Sequence, residues 1–151
     1  MSEGKSIELL QVEDKVRRWL SDFVGTFETG TNILGSFRVG SARVNVDVFE
    51  QNDSRFLKVL SCVADGATSS PELFEYIARA NSDYIFGRLQ AADGDEEGLI
   101  DVWFEHNLLA DYLDQEELKW AVGAVAASAD DVDTEMVKRF GGRTMYEDDD
   151  D

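Results

Sequence analysis

Acidic side chains crowd one short turn, where their spacing resembles that of a calcium-binding loop. Asp93, Asp95 and Glu97 occupy the first, third and fifth positions of such a loop, and Gly98 occupies the sixth. Calcium also requires a bidentate glutamate at the twelfth position, where this chain has Phe104. The flanking residues alternate as strands do. The pattern therefore predicts a highly charged β-hairpin turn and no dedicated calcium site.

Cys62 and His106 are the only cysteine and the only histidine, and nucleophilic catalysis would require them to meet. Strand alternation instead predicts that they lie on opposite faces of a sheet, with His106 at a strand end in contact with water. Asp101 and Glu105 share a strand face, but nothing in the local sequence supports acid–base chemistry. One cysteine and one histidine are also too few for a zinc cluster. We therefore expect no catalytic residue, no metal site and no cofactor, and a hydrolase is the least favoured alternative.

The composition indicates one well-packed but strongly acidic domain. The 151 residues include 43% hydrophobic residues and nine phenylalanines, and the formal net charge is −18. Such a charge repels nucleic acids and anionic membranes, and it attracts basic partner segments. The free cysteine and the lack of a long apolar run predict a cytoplasmic protein. We expect a single domain over residues 1–145, followed by an acidic tail over residues 146–151.

Hydrophobic periodicity predicts the order αβββαββα. Short connections favour an antiparallel meander. The fold class is therefore α+β, with a five-stranded, mainly antiparallel sheet and helices packed mostly on one face. Asn81 is predicted to end the middle helix in a left-handed conformation, and Gly141 to do so for the last helix. The predicted helices cover residues 6–24, 71–81 and 114–140, and the predicted strands cover 32–39, 42–50, 55–64, 84–91 and 99–105.

The same alternation predicts apolar side chains on the sheet face that points away from the helices. If Val44, Val46 and Phe104 point inward, their neighbours point outward. A mixture of aromatic and charged side chains is typical of contact surfaces. A loop, the first helix or the tail could instead cover this face, or a homodimer could bury it. The candidate partner-binding residues are Phe49, Phe56, Leu60, Phe86 and Trp103. Trp19 and Trp120 are predicted to be core or groove residues.

Three short segments resemble the YbjN-like family, whose fold is similar to that of type III secretion chaperones. The first is the stretch 79–89, in which Asn81 stands at a helix-to-strand junction, and the second is the helix-opening run 113–118. The third is Phe140-Gly141-Gly142-Arg143, which ends the last helix. Further matching positions are Ser36, Phe37, Val39, Phe86, Gly87, Arg88, Leu118, Ala129, Asp130 and Arg139.

The resemblance implies a small acidic protein that holds a peptide or protein client and has no catalytic residues. We therefore expect a non-enzymatic, chaperone-like homodimer that binds through exposed sheet edges and apolar pockets. The alternative is a stoichiometric regulator of a signalling or secretion component. Fold alone does not decide between these functions.

Overall fold

In a computed structural model that describes residues 4–30 and 33–146, each helix begins at a side-chain cap. Ser6, Ser70 and Asp114 each accept a hydrogen bond from the backbone N–H three residues further on. Glu117 returns a hydrogen bond to the backbone N–H of Asp114 and completes a capping box. Helix α1 spans Ile7–Phe23, α2 spans Pro71–Ala80, and α3 spans Gln115–Phe140.

The strands form one antiparallel sheet with the spatial order β1-β2-β3-β4-β6-β5. The sheet therefore has six strands and not five, although the predicted α+β class is confirmed. The additional strand has only three residues, too few for an alternation pattern to show. The predicted first residue of the next strand, Asn32, lies outside the described residues. The strands are β1 Glu28–Gly30, β2 Ile33–Val39, β3 Ala42–Gln51, β4 Ser54–Thr68, β5 Arg88–Asp93 and β6 Leu99–Leu109.

The segment before β5 departs most from the sequence prediction. Asn81 has φ −64°, so the predicted left-handed conformation is wrong. Its side chain instead accepts a hydrogen bond from the N–H of Leu89 at 2.7 Å and donates one to the carbonyl of Leu89 at 3.1 Å. Gly87 has φ +82°, which favours glycine, and a Cβ there would collide with the Phe104 ring. The chain therefore turns before β5, and the strand begins at Arg88 and not at Tyr84.

The core lies between the inner face of the sheet and the helices. Val44, Val46, Leu57, Val59 and Phe104 are fully buried there, as the alternation predicts. The apolar stripe of α3 is also buried. Gly141 ends that helix with φ +85° and ψ −174°, a conformation that favours glycine but is not the left-handed helical one predicted for it. The buried residues of the α3 stripe are Leu118, Val122, Val125, Ala129, Val132 and Met136.

The chain continues past α3 along the end of the sheet. Arg143 forms an isolated β-bridge with Asp65 through backbone hydrogen bonds of 2.8 and 3.0 Å. Tyr146 packs its ring on the guanidinium of Arg38 at 4.5 Å. The remaining tail, residues 147–151, lies outside the described residues, so the predicted domain division stays a prediction. Within the described ranges, no helix is both long and apolar enough to cross a membrane.

Candidate functional site

The outer face of the sheet carries an aromatic row at one end. Phe49 on β3 is paired with Phe56 on β4, and Phe56 is paired with Leu109 on β6. The two phenylalanine rings stack with their centroids 5.4 Å apart and their planes 21° apart. Both rings are half-buried, and Leu109 is 55% exposed. Because directly paired side chains share a face, these three form one continuous apolar strip.

Leu60 and Trp103 form another apolar patch further along the same face, separated from the strip by the polar row of Asp47, Lys58 and Asn107. Leu60 is paired with Glu105, and Trp103 is paired with Cys62 on one side and Gln90 on the other. Leu60 and Trp103 are half-buried. Four of the five predicted binding residues therefore lie on the outer face, as predicted. Their role in binding a partner stays a prediction.

Phe86 is the exception, and its predicted outward orientation is wrong. Its ring lies 4.7 Å from the ring of His106 and stacks at 6.2 Å on Trp120 of α3. Ile85, predicted to point inward, is 96% exposed. Both residues precede the turn at Gly87, so the alternation within β5 does not extend back to them. Phe86 therefore lies on the helix side of the sheet.

The charges on the outer face cancel, although the whole chain carries −18. Arg43 pairs with Glu28 at 2.8 Å. Arg88 pairs at 2.8 Å with Glu105, which is only 4% exposed. By strand register the face carries four cations, Arg38, Arg43, Lys58 and Arg88, and four carboxylates, Glu28, Asp47, Asp101 and Glu105. The carboxylate of Asp65, which lies beside Asp101, is paired with Arg143 and leaves this balance unchanged. The acidic excess of the protein therefore lies on the helices, turns and ends, and the outer face is neutral.

Cys62 is unsuited to act as a nucleophile. Burial, reinforced by the negative charges of Asp101 and Asp65, raises the pKa of its thiol to about 12. The reactive thiolate is therefore negligible at neutral pH. Cys62 shares the outer face with Trp103, whereas His106 lies on the inner face beside Phe86. The structure does not bring the thiol and the imidazole together.

His106 does not lie at a strand end, so that part of the expectation is wrong, and the residue is half-buried. It lies within β6 because the strand continues to Leu109, four residues beyond its predicted end. Burial lowers the pKa of the imidazole. Its Nε2 atom is buried and has no hydrogen-bond partner among the described residues. The side chain therefore forms part of the packing under α3.

The carboxylates of Asp101 and Glu105 are each held by a separate partner. Asp101 accepts a hydrogen bond from the N–H of Gly66 at 2.9 Å, and burial raises its pKa. Glu105 is bound by Arg88. The acidic turn is the hairpin loop between β5 and β6, as predicted. Among residues 4–30 and 33–146, no group of three or more His, Cys, Asp or Glu side chains is arranged to hold a metal ion.

Sequence reasoning missed a second apolar surface beside the edge strand β5. Trp120 is 65% exposed, so its predicted core or groove position is wrong. It stacks on Phe86 next to the exposed Ile85. A signal was present, because Trp120 falls outside the apolar stripe defined by Leu118 and Val122.

Comparison with known proteins identifies the family. Residues 11–148 match the family TY-Chap1, described as "T3SS (YopN, CesT) and YbjN peptide-binding chaperone 1". No curated protein matches the chain. The fold is similar to that of YbjN from E. coli, with 10% identity, a TM-score of 0.54, and coverage of 81% of this chain and 91% of YbjN.

It is also similar to the type III secretion chaperone SycH from Yersinia pestis, whose structure was solved in complex with a stable fragment of YscM2. The identity is 15% and the TM-score 0.52, over 78% of this chain and 96% of SycH. At these identities the two structures support the fold alone. The family match covers nearly the whole chain and confirms the resemblance found in its sequence, so this protein belongs to the TY-Chap1 family.

Proposed function

We propose that this protein is a non-enzymatic chaperone that binds a peptide or an extended segment of a client protein on the outer face of its sheet. The observation that carries the proposal is the set of half-buried apolar side chains Phe49, Phe56, Leu60 and Trp103 on one neutral face. Apolar patches that remain accessible on a folded domain commonly mark interaction sites. The family description supports binding of peptides.

The spacing of the apolar side chains suits an extended ligand. Side chains on one face of a strand recur about every 7 Å. Leu60 is paired with Glu105, two residues from Trp103, so Leu60 and Trp103 are offset by one such step along neighbouring strands. Alternate side chains of an extended client have the same spacing. Beyond Leu89, whose backbone groups are bound by Asn81, the edge of β5 offers backbone groups for pairing with a client strand. Main-chain pairing would supply affinity, and the apolar rows would supply specificity.

The non-enzymatic and cytoplasmic parts of the proposal rest on the side chains themselves. The Cys62 thiol is protonated at neutral pH, and Asp101 and Glu105 are occupied by other groups. A free buried cysteine suits a reducing compartment. The acidic excess outside the outer face would accelerate encounters with basic clients.

We also propose that the protein acts as a homodimer through the second apolar surface, formed by Ile85, Phe86 and Trp120. Large exposed apolar side chains beside a free sheet edge favour association. Trp120→Glu should shift the sedimentation coefficient from dimer to monomer without loss of helical content. A wild-type protein that sediments as a monomer at all concentrations would remove this part of the proposal.

The function is tested by affinity capture from a lysate of the source organism with a matched pair of variants. Trp103→Asp alters the outer face, whereas Tyr112→Asp makes the same change at a side chain that is 90% exposed in the turn before α3. The proposal predicts one or two stoichiometric partners that wild type and Tyr112→Asp retain and Trp103→Asp loses. A diffuse set of basic proteins that moderate salt removes equally from all three would contradict it.

A further inference from the structure

A cavity of about 640 Å³ lies between α2 and the C-terminal end of α3. Its volume falls within the range of ordinary ligand sites. It lies on the helix side of the sheet and contains none of the outer-face side chains described above. The lining residues are Glu72, Glu75, Tyr76, Arg79, Ala80, Asp83, Tyr84 and Arg139.

Two tyrosine rings line this cavity, and one of them already binds a cation of the protein itself. The guanidinium of Arg139 lies 5.0 Å from the ring centroid of Tyr76 and 4.9 Å from that of Phe140. Tyr84 packs on Phe104 with the centroids 4.9 Å apart. In the described part of the chain, no lysine or arginine stacks on the Tyr84 ring. The cavity therefore retains a tyrosine available to a further cation.

The charges around the cavity are predominantly negative. Arg79 is paired with Glu75 at 2.7 Å, which cancels both charges. Glu72 and Asp83 remain in the lining. Two carboxylates of α3, Asp131 and Glu135, act electrostatically on the tyrosines of the cavity. Burial and then the charge of Glu135 raise the pKa of Tyr76, whereas burial, Tyr76, Asp83 and Asp131 raise that of Tyr84.

The four carboxylates Glu72, Asp83, Asp131 and Glu135 make no ion pair within residues 4–30 and 33–146. Arg139 and Lys138, both in the last turn of α3, oppose them, so the surroundings carry a net charge of about −2 on the formal charges at neutral pH. An anionic ligand would be repelled. A planar cation would gain both the aromatic contact and the field of the carboxylates.

We propose that this cavity is a binding site for the guanidinium group of an arginine side chain supplied by the client protein. Arginine fits better than lysine because its flat group stacks on a ring while it donates hydrogen bonds to carboxylates in its plane. The proposal rests on the proposed function, since the arginine belongs to a client. It also assigns the acidic excess of the chain a specific use away from the neutral outer face.

The test is an NMR titration of the ¹⁵N-labelled full-length protein with N-acetyl-arginine methylamide, with N-acetyl-citrulline methylamide as the uncharged probe of matched shape. The arginine probe should shift the backbone signals of Asp83 and Tyr84 saturably, and the citrulline probe should not. Asp83→Asn should weaken binding about threefold, the effect of one partly exposed charge pair. Tyr84→Leu should weaken it about fivefold through the lost stacking.

Two controls keep the result interpretable. Asp53→Asn makes the same charge change at the β3–β4 hairpin tip, where φ of +62° suits asparagine, and should leave the affinity unchanged. Because Tyr84→Leu also alters packing on Phe104, Asp83→Asn decides the outcome if that variant unfolds. Equal shifts with both probes, or equal weakening by Asp83→Asn and Asp53→Asn, would overturn the site. The proposed function would be unaffected, because Trp103 lies on the other face.

Discussion

Replacing Arg88 by methionine is expected to destabilise the domain, because the buried carboxylate of Glu105 on the outer face loses its ion-pair partner. Glu105 is nearly buried, and Arg88 is the one side chain among the described residues that binds its carboxylate, with nitrogen–oxygen distances of 2.8 and 3.3 Å. Arg88 lies on the edge strand and its side chain is 59% exposed. Methionine keeps the aliphatic stem and removes the charge, so the change isolates the unpaired carboxylate.

The magnitude follows from the unequal exposure of the two partners. Removing one partner of a fully buried ion pair costs about 3–5 kcal/mol. Here water can reach Glu105 once the exposed guanidinium is removed, so we expect a loss of about 2 kcal/mol in the free energy of unfolding. For a domain of this size the melting temperature should fall by about 4–8 °C.

The assay is urea denaturation of a double-mutant cycle with an exposed control pair. Arg88→Met combined with Glu105→Gln should recover at least half of the loss, because the unpaired charge is gone. Arg79→Met breaks the pair with Glu75, whose side chains are 79% and 62% exposed, and should cost less than about 0.5 kcal/mol. Equal losses from Arg88→Met and Arg79→Met, or no recovery in the double variant, would refute the reasoning.

Three further predictions concern single side chains. Ser61 has a fully buried hydroxyl without a hydrogen-bond partner in the described structure. Ser61→Ala should therefore raise the free energy of unfolding by about 1 kcal/mol in urea denaturation. A lower free energy of unfolding would contradict this, because it would show that the hydroxyl has a partner. Burial lowers the pKa of His106 from its ordinary 6.5, so the unfolded chain binds the proton more readily than the folded one. The free energy of unfolding should therefore fall as the pH drops below about 6.5. In thermal melts from about pH 7.5 to 5.5, His106→Phe should lack this pH-dependent loss of stability. A wild-type profile parallel to that of His106→Phe would contradict it. Asn81→Ala should cost about 2 kcal/mol because both backbone groups of Leu89 lose their partner, whereas Ser82→Ala, an exposed neighbour, should change little in the same assay.

The sequence predicts the outer face well where strands are long and regular. Phe49, Phe56 and Leu60 lie within uninterrupted pairing, so alternation places each on the correct face. It fails at Phe86, because a positive-φ glycine reorients the chain between that residue and the strand. Ion pairs such as Arg88–Glu105 join residues that are distant in sequence, and only the register of the folded sheet brings them together.

The cavity between α2 and α3 was not predictable for a similar reason. Its two tyrosines come from α2 and from the loop that follows, and Arg139 comes from the far end of α3. No spacing rule connects these positions, since tertiary packing of two helices creates the cavity. Caps and apolar stripes, by contrast, are local patterns, and Ser70 and Asp114 are recognisable as caps from the sequence alone.

The most direct test of the central claim is site-specific photo-crosslinking in the full-length protein. A photoreactive phenylalanine analogue would replace Trp103 on the outer face or, as a control, Tyr112 in the exposed turn, and circular dichroism would first establish that both variants fold. Illumination in the source organism should link position 103, and not 112, to one or two proteins through short extended segments identified by mass spectrometry. Crosslinks from position 103 only to a second copy of this chain, or the same diffuse products from both positions, would contradict the account.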